Sequence, residues 1–216
     1  ITFLRKTNQL HLQIHSIVWL QILLCFGMLF HSNCRRRWRN LKSSTRSFMI
    51  PEKAQYYINQ LQMLKHPEGG WYKETYRARG VISAEELPKH GGARNYSTGI
   101  YFLLTEENFS AFHRIKSDEM WHFYDGDGLT IHEIQQNGNY INHSLGLDLD
   151  GVEEPQLVVK GGSWFASQVA DEGSWCLVGC TVAPGFDFED FEMPTRADLI
   201  ELYPEMKTVI TTFTRT

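Results

Sequence analysis

The sequence predicts an all-β fold, an antiparallel sandwich or barrel, with one helix before it and a short helix near the C-terminus. About nine short segments alternate apolar and polar residues, as strands with one buried face do. Turn residues separate these segments at a steady spacing, and no long segment of helical periodicity lies between them. Residues 49–216 are therefore expected to form a single domain.

Each predicted element has a local signal. Apolar residues at positions 54, 57, 58, 61 and 64 have helical spacing, and Pro51 suits a first helical turn, so residues 51–64 are predicted to be a helix. A second, short helix is predicted over residues 196–203, before Pro204. Seven of the predicted strands cover residues 71–79, 96–104, 129–135, 140–147, 157–160, 163–169 and 174–183. Two more are predicted, one on each side of a polar break at residues 116–118.

That break lies within residues 109–128, FSAFHRIKSDEMWHFYDGDG, where His113 comes just before it and Glu119 just after it. If the two strands form an antiparallel pair, both side chains point into the same interior. A histidine and a carboxylate that converge there are a candidate acid/base pair or half of a metal site. The alternative is a core histidine hydrogen-bonded to Glu119 with no chemical role.

The charges divide the chain sharply. Residues 1–48 carry eight Lys or Arg and no acidic residue, whereas residues 49–216 carry 13 basic and 25 acidic residues, a net charge of −12. An acidic domain lacks the positive surface that nucleic acid requires, so we expect no such partner. Cys176 and Cys180 lie roughly 13 Å apart on one predicted strand, too far for a disulfide bond. This cysteine usage favours a reducing compartment, and the expected location is the cytoplasm.

Residues 1–48 are expected to form a non-globular extension. Their apolar run, residues 16–30, is short for a membrane span and is followed by a cluster of arginines. The extension is a targeting segment, a gene-model artefact upstream of Met49, or a membrane anchor. A genuine targeting segment would make the protein secreted or membrane-anchored, while the folded domain is expected to have no membrane partner.

The central segment resembles the first motif of the cupin superfamily, which normally reads His-x-His, three or four residues, Glu, six residues, Gly. His113 and Glu119 match this motif, and Ala111 stands in place of its first histidine. The second motif, Pro-x-Gly-x-x-His, resembles residues 160–165, with Phe165 in place of its histidine.

Several further blocks resemble one branch, the fifth cupin family, a domain of unknown function (DUF985). They are HPEGGWYKETYR, STGIYFLL, FHRIKSDEMWHFYDGD, LGLD and CTVAPGFDFEDFEM, which lie within about residues 52–212. The resemblance implies a jelly-roll barrel, or double-stranded β-helix, similar in fold to the epimerases of nucleotide-activated deoxysugars and to seed-storage proteins. It also implies a homodimer, which would cover exposed edge strands.

A metal-dependent cupin holds its ion with three histidines and one glutamate. Because Ala111 and Phe165 occupy two of these four positions, we expect no cofactor, or at most a weakly held divalent metal. The ligands of such a metal would be His113, Glu119 and His122, although strand alternation points His122 away from Glu119.

Without a metal, the resemblance implies that His113 is a general base oriented by Glu119, with a tyrosine such as Tyr101 as general acid. The expected pocket residues are Glu74, Arg77, Trp121, Phe123, Trp164 and Phe165. Of these, Glu74 and Arg77 are expected on opposite faces of one strand, so that at most one of them faces the cavity.

Two classes of function remain open. The first is a cofactor-free isomerase or epimerase that acts on a small polar, sugar-like carbonyl compound. The second is a non-catalytic cupin that binds or stores a small molecule in its barrel. A metal-dependent cupin enzyme is a third alternative, against which the residues Ala111 and Phe165 argue.

Overall fold

The computed structural model describes residues 50–169 and 174–215, and strands dominate this part of the chain. The strands are β1 (Leu64–Lys65), β2 (Trp71–Arg77), β3 (Val81–Ile82), β4 (Arg94–Asn95), β5 (Thr98–Thr105), β6 (Ser110–His113), β7 (Asp118–Gly126), β8 (Leu129–Ile134), β9 (Tyr140–Leu145), β10 (Gln156–Val159), β11 (Trp164–Val169) and β12 (Trp175–Ala183). The α-helices are α1 (Glu52–Gln60), α2 (Arg196–Leu202) and α3 (Lys207–Thr212), and single 3-10 turns cover Phe188–Asp190 and Pro204–Met206.

Two antiparallel sheets enclose the core. The larger sheet has the strand order β1-β2-β5-β12-β7-β10, the smaller has the order β6-β11-β8-β9, and β3 and β4 form a separate ribbon. The inner faces of the two sheets share one apolar core, with Phe102 and Trp121 from the larger sheet and Ile131 and Phe165 from the smaller. Because most strands pair with strands that are distant in sequence, the arrangement is that of a jelly roll, and the predicted all-β fold is confirmed.

The central segment passes from one sheet to the other. β6 pairs with β11 in the smaller sheet, and β7 lies between β12 and β10 in the larger sheet. The expected pairing of these two strands with each other is therefore wrong. His113 and Glu119 still share one interior, because they project from sheets that lie on opposite sides of it.

Helices cover part of the outer face of each sheet. α1 places Ala54 and Ile58 in an apolar cluster with Leu103 of the larger sheet. α2 and α3 contribute Leu199 and Ile210 to a second cluster on the outer side of the smaller sheet. The two sheets are thus held in position from outside as well as through the shared core.

The helices differ in detail from the prediction. α1 ends at Gln60 rather than at residue 64, since Leu64 and Lys65 pair with β2 as the first strand of a hairpin. α2 lies where the short C-terminal helix is predicted, and α3 follows it as an additional helix. The predicted extension, residues 1–48, lies outside the described residues. None of the helices described in 50–169 and 174–215 has the length and apolar character needed to cross a membrane.

Candidate functional site

A cavity of about 150 Å³ lies inside the barrel, against the inner face of the larger sheet. Most of its wall is apolar. The polar part of the wall includes five side chains that can carry or share a proton, namely His66, Glu68, His113, Glu119 and Cys180, together with Tyr72, Glu74, Arg77 and Thr98. A small group of polar side chains in an otherwise apolar cavity is typical of a ligand site.

Glu68 reaches the cavity from the loop that joins β1 to β2. Gly69 and Gly70 follow it with φ angles of +127° and +71°. A Cβ atom on Gly69 would clash with the carbonyl oxygen of Phe109, and one on Gly70 would clash with that of Leu103. Only glycine allows both this backbone conformation and this close approach, so the His-Pro-Glu-Gly-Gly sequence is what places the Glu68 carboxylate inside the barrel.

His113 is buried between two hydrogen-bond acceptors. Its Nδ1 lies 2.8 Å from the carbonyl oxygen of Ala111, which can only accept. Its Nε2 lies 3.1 Å from Oε2 of Glu68. An unprotonated ring nitrogen and a carboxylate oxygen would repel each other at this distance, so a proton lies between them. Burial lowers the pKa of His113, and the negative charge of Glu68 opposes this shift.

Glu68 is also in contact with His66 and Ser110. Nδ1 of His66 lies 3.3 Å from Oε2 of Glu68, and the Ser110 hydroxyl donates to Oε1 at 2.9 Å. Burial acts to raise the pKa of Glu68, but the two imidazoles and these hydrogen bonds hold that pKa below its ordinary value. Burial acts to lower the pKa of His66, but the charge and hydrogen bond of Glu68 outweigh the effect of burial, so the pKa of His66 is raised. Glu68 is therefore ionised near neutral pH, and its charge favours the protonated form of His66.

Glu119 lies in the same cavity, but its protonation state is opposite to that of Glu68. Burial, assisted by the negative charge of Glu68, raises the pKa of Glu119 to about 8. Cys180 on the neighbouring strand β12 is hydrogen-bonded to Glu119, and burial raises the pKa of its thiol well above the ordinary value. Glu119 is thus a neutral carboxylic acid at pH 7, and Cys180 is an unreactive thiol.

Glu74 and Arg77 both line the cavity, which corrects the expectation that at most one of them does. A β-bulge between Glu74 and Tyr76 shifts the register of β2 against β5. The extra residue brings Arg77 to the same side as Glu74. The Arg77 guanidinium donates two hydrogen bonds to the Glu74 carboxylate, at 3.0 and 2.7 Å. These side chains are 39% and 42% exposed, so the pair marks the mouth of the cavity.

A segment with three phenylalanines, residues 186–191, closes the mouth. The carbonyl oxygen at its first residue accepts a hydrogen bond from Arg77 at 3.1 Å. Its other end is held by Asp190, which forms a buried ion pair with Arg94 at 2.8 Å. Between these two attachments Phe188 lines the cavity and is 55% exposed. The phenylalanine segment therefore separates the cavity from solvent on this side.

The other predicted pocket residues are distributed around the cavity. Trp121 lines it, as predicted, and Phe123 packs against the same core without bordering the cavity. Phe165 also borders the core rather than the cavity, with its ring centroid 4.1 Å from that of His113. Trp164 points to the opposite face of the smaller sheet, where it packs against the C-terminal helices. Trp164 is therefore not a pocket residue.

Tyr101 lies outside the cavity, so its prediction as general acid is wrong. Alternate residues of β5, beginning with Thr98, face the cavity, and Tyr101 falls between them. Its ring packs edge-on against Tyr124 on the outer face of the larger sheet. His122 also faces outward, as strand alternation predicts, and its Nε2 lies 3.1 Å from the Thr181 hydroxyl.

The residues around His113 do not fit the cupin metal site. Both ring nitrogens of His113 are occupied, one by the carbonyl oxygen of Ala111 and one by Glu68. Phe165 packs against the ring where the motif has another ligand. Within residues 50–169 and 174–215, no group of three or more His, Cys, Asp or Glu side chains is arranged to hold a metal ion.

His66 and Glu68 are the site residues that the sequence prediction missed. The backbone carbonyl of Glu68 accepts a hydrogen bond from the Ala111 N–H at 2.9 Å, so its loop lies beside strand β6, which carries His113. The available signal was the turn sequence itself, in which a histidine and a glutamate precede two glycines.

Comparisons with known proteins agree with this architecture. A family model described as "Cupin superfamily (DUF985)" matches residues 55–194. The uncharacterized protein YML079W of Saccharomyces cerevisiae is 35% identical over 153 residues, which are 65% of this chain and 74% of that protein. A solved structure of a hypothetical protein from Leishmania major is 37% identical, with a TM-score of 0.71 over 76% of this chain and 99% of that one. The crystal structure of protein SO0799 from Shewanella oneidensis is 38% identical, with a TM-score of 0.68 over 75% and 97%. The chain therefore belongs to the DUF985 family of the cupin superfamily.

Proposed function

We propose that the protein catalyses proton transfer next to a carbonyl group, as an isomerase or epimerase of a small polar compound. The observation that carries this proposal is the opposite behaviour of two carboxyl groups in one cavity. The two imidazoles hold the pKa of Glu68 below its ordinary value, whereas burial raises the pKa of Glu119 to about 8. Two groups whose pKa values are pushed apart in this way are suited to act as base and acid.

In this proposal the Glu68–His113 pair accepts the proton that leaves the carbon atom. Oε2 of Glu68 and Nε2 of His113 lie 3.1 Å apart, and in this scheme one proton lies between them, so the pair can accept a second. Glu119 donates its own proton to the carbonyl oxygen and becomes an anion, and the substrate becomes a neutral enol. For an α-hydroxycarbonyl compound the enol is an enediol with two hydroxyl groups. Return of the first proton to the former carbonyl carbon, while the Glu119 carboxylate takes the proton of the second hydroxyl, gives isomerisation. Return of that proton to the other face of the original carbon, once the enediol has turned that face toward the pair, gives epimerisation, and Glu119 then takes back the proton that it gave to the carbonyl oxygen.

His66 is a positioning residue in this scheme. It contacts Glu68 at 3.3 Å and keeps that carboxylate ionised before the reaction. Its ring is itself fixed by aromatic neighbours, including Tyr72 with centroids 4.7 Å apart. A change at His66 is therefore expected to act through the protonation of Glu68.

Exchange of carbon-bound protons with solvent tests the proposal without knowledge of the natural substrate. The full chain is incubated in deuterated water with glycolaldehyde, dihydroxyacetone, glyceraldehyde or erythrulose, and proton NMR follows the signals next to the carbonyl group. We expect catalysed exchange for at least one of these compounds. Because the Glu68–His113 pair is the proposed proton acceptor, His113→Gln is expected to lose about 100-fold or more of the rate.

Two variants serve as controls. His122→Gln changes a histidine of the outer face, and Tyr101→Phe removes the hydroxyl that the geometry places outside the cavity, so both should exchange at the native rate. Native exchange by a folded His113→Gln protein would contradict the proposal. Binding of these compounds without exchange would support the non-catalytic binding cupin instead.

A further inference from the structure

We propose that the cavity takes a small uncharged hydroxycarbonyl compound, with about six to eight non-hydrogen atoms, and rejects phosphate esters and nucleotide-linked forms of such compounds. This inference rests on the proposed function and adds the class of substrate. Three features support this inference. They are the size of the cavity, the pairing of its charges and one unpartnered hydrogen-bond donor on a side chain of its wall.

The cavity volume limits the size of the ligand. At about 150 Å³, the cavity matches those that accommodate a benzene-sized molecule. Sites for larger ligands commonly have about 300–1,000 Å³. The phenylalanine segment covers the mouth, and its two ends are held by hydrogen bonds and a buried ion pair. A nucleotide-linked sugar would therefore have to displace Phe188 and the attached segment.

The charges in the wall are already balanced within the protein. Arg77 donates hydrogen bonds from Nε and Nη2 to the carboxylate of Glu74. Its Nη1 donates to the side-chain oxygen of Asn95 and to the carbonyl oxygen of Phe186. His66 is paired with Glu68. Among the described residues that line the cavity, no cation is left without a carboxylate partner.

A phosphate group would thus enter a site without a counter-charge. It would lie near the carboxylates of Glu68 and Glu74, and burial of an unpaired anion is costly. A free ammonium group would find those same carboxylates already occupied by His66 and Arg77. The balanced wall therefore favours an uncharged ligand.

One side chain of the wall also carries an unpartnered hydrogen-bond donor. The indole N–H of Trp121 is fully buried and has no hydrogen-bond partner among the described residues. Trp121 lines the cavity, together with apolar side chains such as Ile100 and Val182. In this proposal the bound ligand brings a carbonyl or hydroxyl oxygen to the indole edge and satisfies this N–H, while its carbon chain lies against the apolar wall.

Ligand-observed saturation-transfer NMR on the full chain tests this inference. The probes are dihydroxyacetone and glyceraldehyde, each compared with its own phosphate ester at the same concentration and at pH 7. At least one neutral compound is expected to bind, and its phosphate ester at least tenfold more weakly. Trp121→Phe removes the N–H and keeps an aromatic ring, so it is expected to weaken binding about tenfold.

Trp164→Phe is the matched control, since Trp164 lies on the other face of the smaller sheet, and it should bind like the native protein. Phe188→Ala opens the mouth and is expected to admit the six-carbon ketose fructose, which the native chain should not bind. Phosphate esters that bind as tightly as the neutral compounds, or an absence of binding by both neutral compounds, would overturn the inference.

The two proposals fail in different ways. Neutral compounds that bind without deuterium exchange would leave the ligand class standing and remove the proposed reaction. Catalysed exchange that occurs only with the phosphate esters would leave the reaction standing and remove the ligand class.

Discussion

Replacing Glu119 with glutamine is expected to raise the free energy of unfolding at pH 9 by about 4 kcal/mol. The pKa of Glu119 is about 8 in the folded protein, against an ordinary value of 4.5. Between these two values the folded state binds more protons than the unfolded state, so the native protein loses stability as the pH rises from 4.5 to about 8. A glutamine carries no charge to bury and escapes this loss. Urea denaturation at pH 5, 7 and 9 measures the difference.

Glu192→Gln is the matched control for this experiment. Glu192 pairs with Arg114 at 2.7 Å, and these side chains are 53% and 41% exposed, so its replacement should change stability by less than about 1 kcal/mol at each pH. A Glu119→Gln protein that is less stable than the native chain at pH 9 would contradict this prediction. Such a result would show that the folded protein holds an ionised Glu119 without a loss in the free energy of unfolding.

Replacing Glu68 with glutamine is expected to have the opposite effect, a loss of about 3 kcal/mol in the free energy of unfolding at pH 6. Glu68 is the buried counter-charge of His66 and His113, and its removal leaves both imidazoles without a carboxylate. Because the folded-state pKa of Glu68 lies below 4.5, its contribution is present above that pH and disappears as the pH falls through the lowered value. The raised pKa of His66 makes its contribution fully present below 6.5 and lost as the pH rises through the folded value. The cost should therefore be largest between these limits.

Glu74→Gln provides the comparison. It breaks the ion pair with Arg77 at the mouth, which is partly exposed, and should cost less than about 1 kcal/mol. Equal losses for Glu68→Gln and Glu74→Gln at pH 6 would contradict the buried charge network.

The inner face of the barrel could be predicted because strand alternation is a local property. Glu119 and Trp121 face the cavity and His122 faces outward, as their spacing on one strand requires. The pairing of β6 and β7 could not be predicted in the same way. These strands are neighbours in sequence but enter different sheets, and their own residues do not specify which strand each one meets.

Alternation also failed wherever the backbone is irregular. The bulge between Glu74 and Tyr76 adds one residue to β2, and this single residue brings Arg77 into the cavity. The bulge is visible only in the pairing with β5, so the spacing of these residues in the sequence does not reveal it.

The partner of His113 was the largest error in the predicted site. The sequence predicts Glu119 in that role, whereas the structure places Oε2 of Glu68 3.1 Å from Nε2 of His113. The position of Glu68 depends on a backbone hydrogen bond from Ala111 and on the backbone conformation of Gly69 and Gly70. These features lie far apart in the sequence, and only the folded chain brings them together.

Carbon NMR of the full chain, labelled at the glutamate side-chain carboxyl groups, tests the central claim most directly. Glu68→Gln and Glu119→Gln assign the two buried signals, which are followed from pH 3 to pH 10. The account predicts that Glu119 is protonated at pH 7 and titrates near 8, while Glu68 stays ionised until the pH falls below 4.5. Two carboxyl groups that are both ionised at pH 6, or a Glu68 signal that titrates near neutral pH in place of that of Glu119, would contradict it.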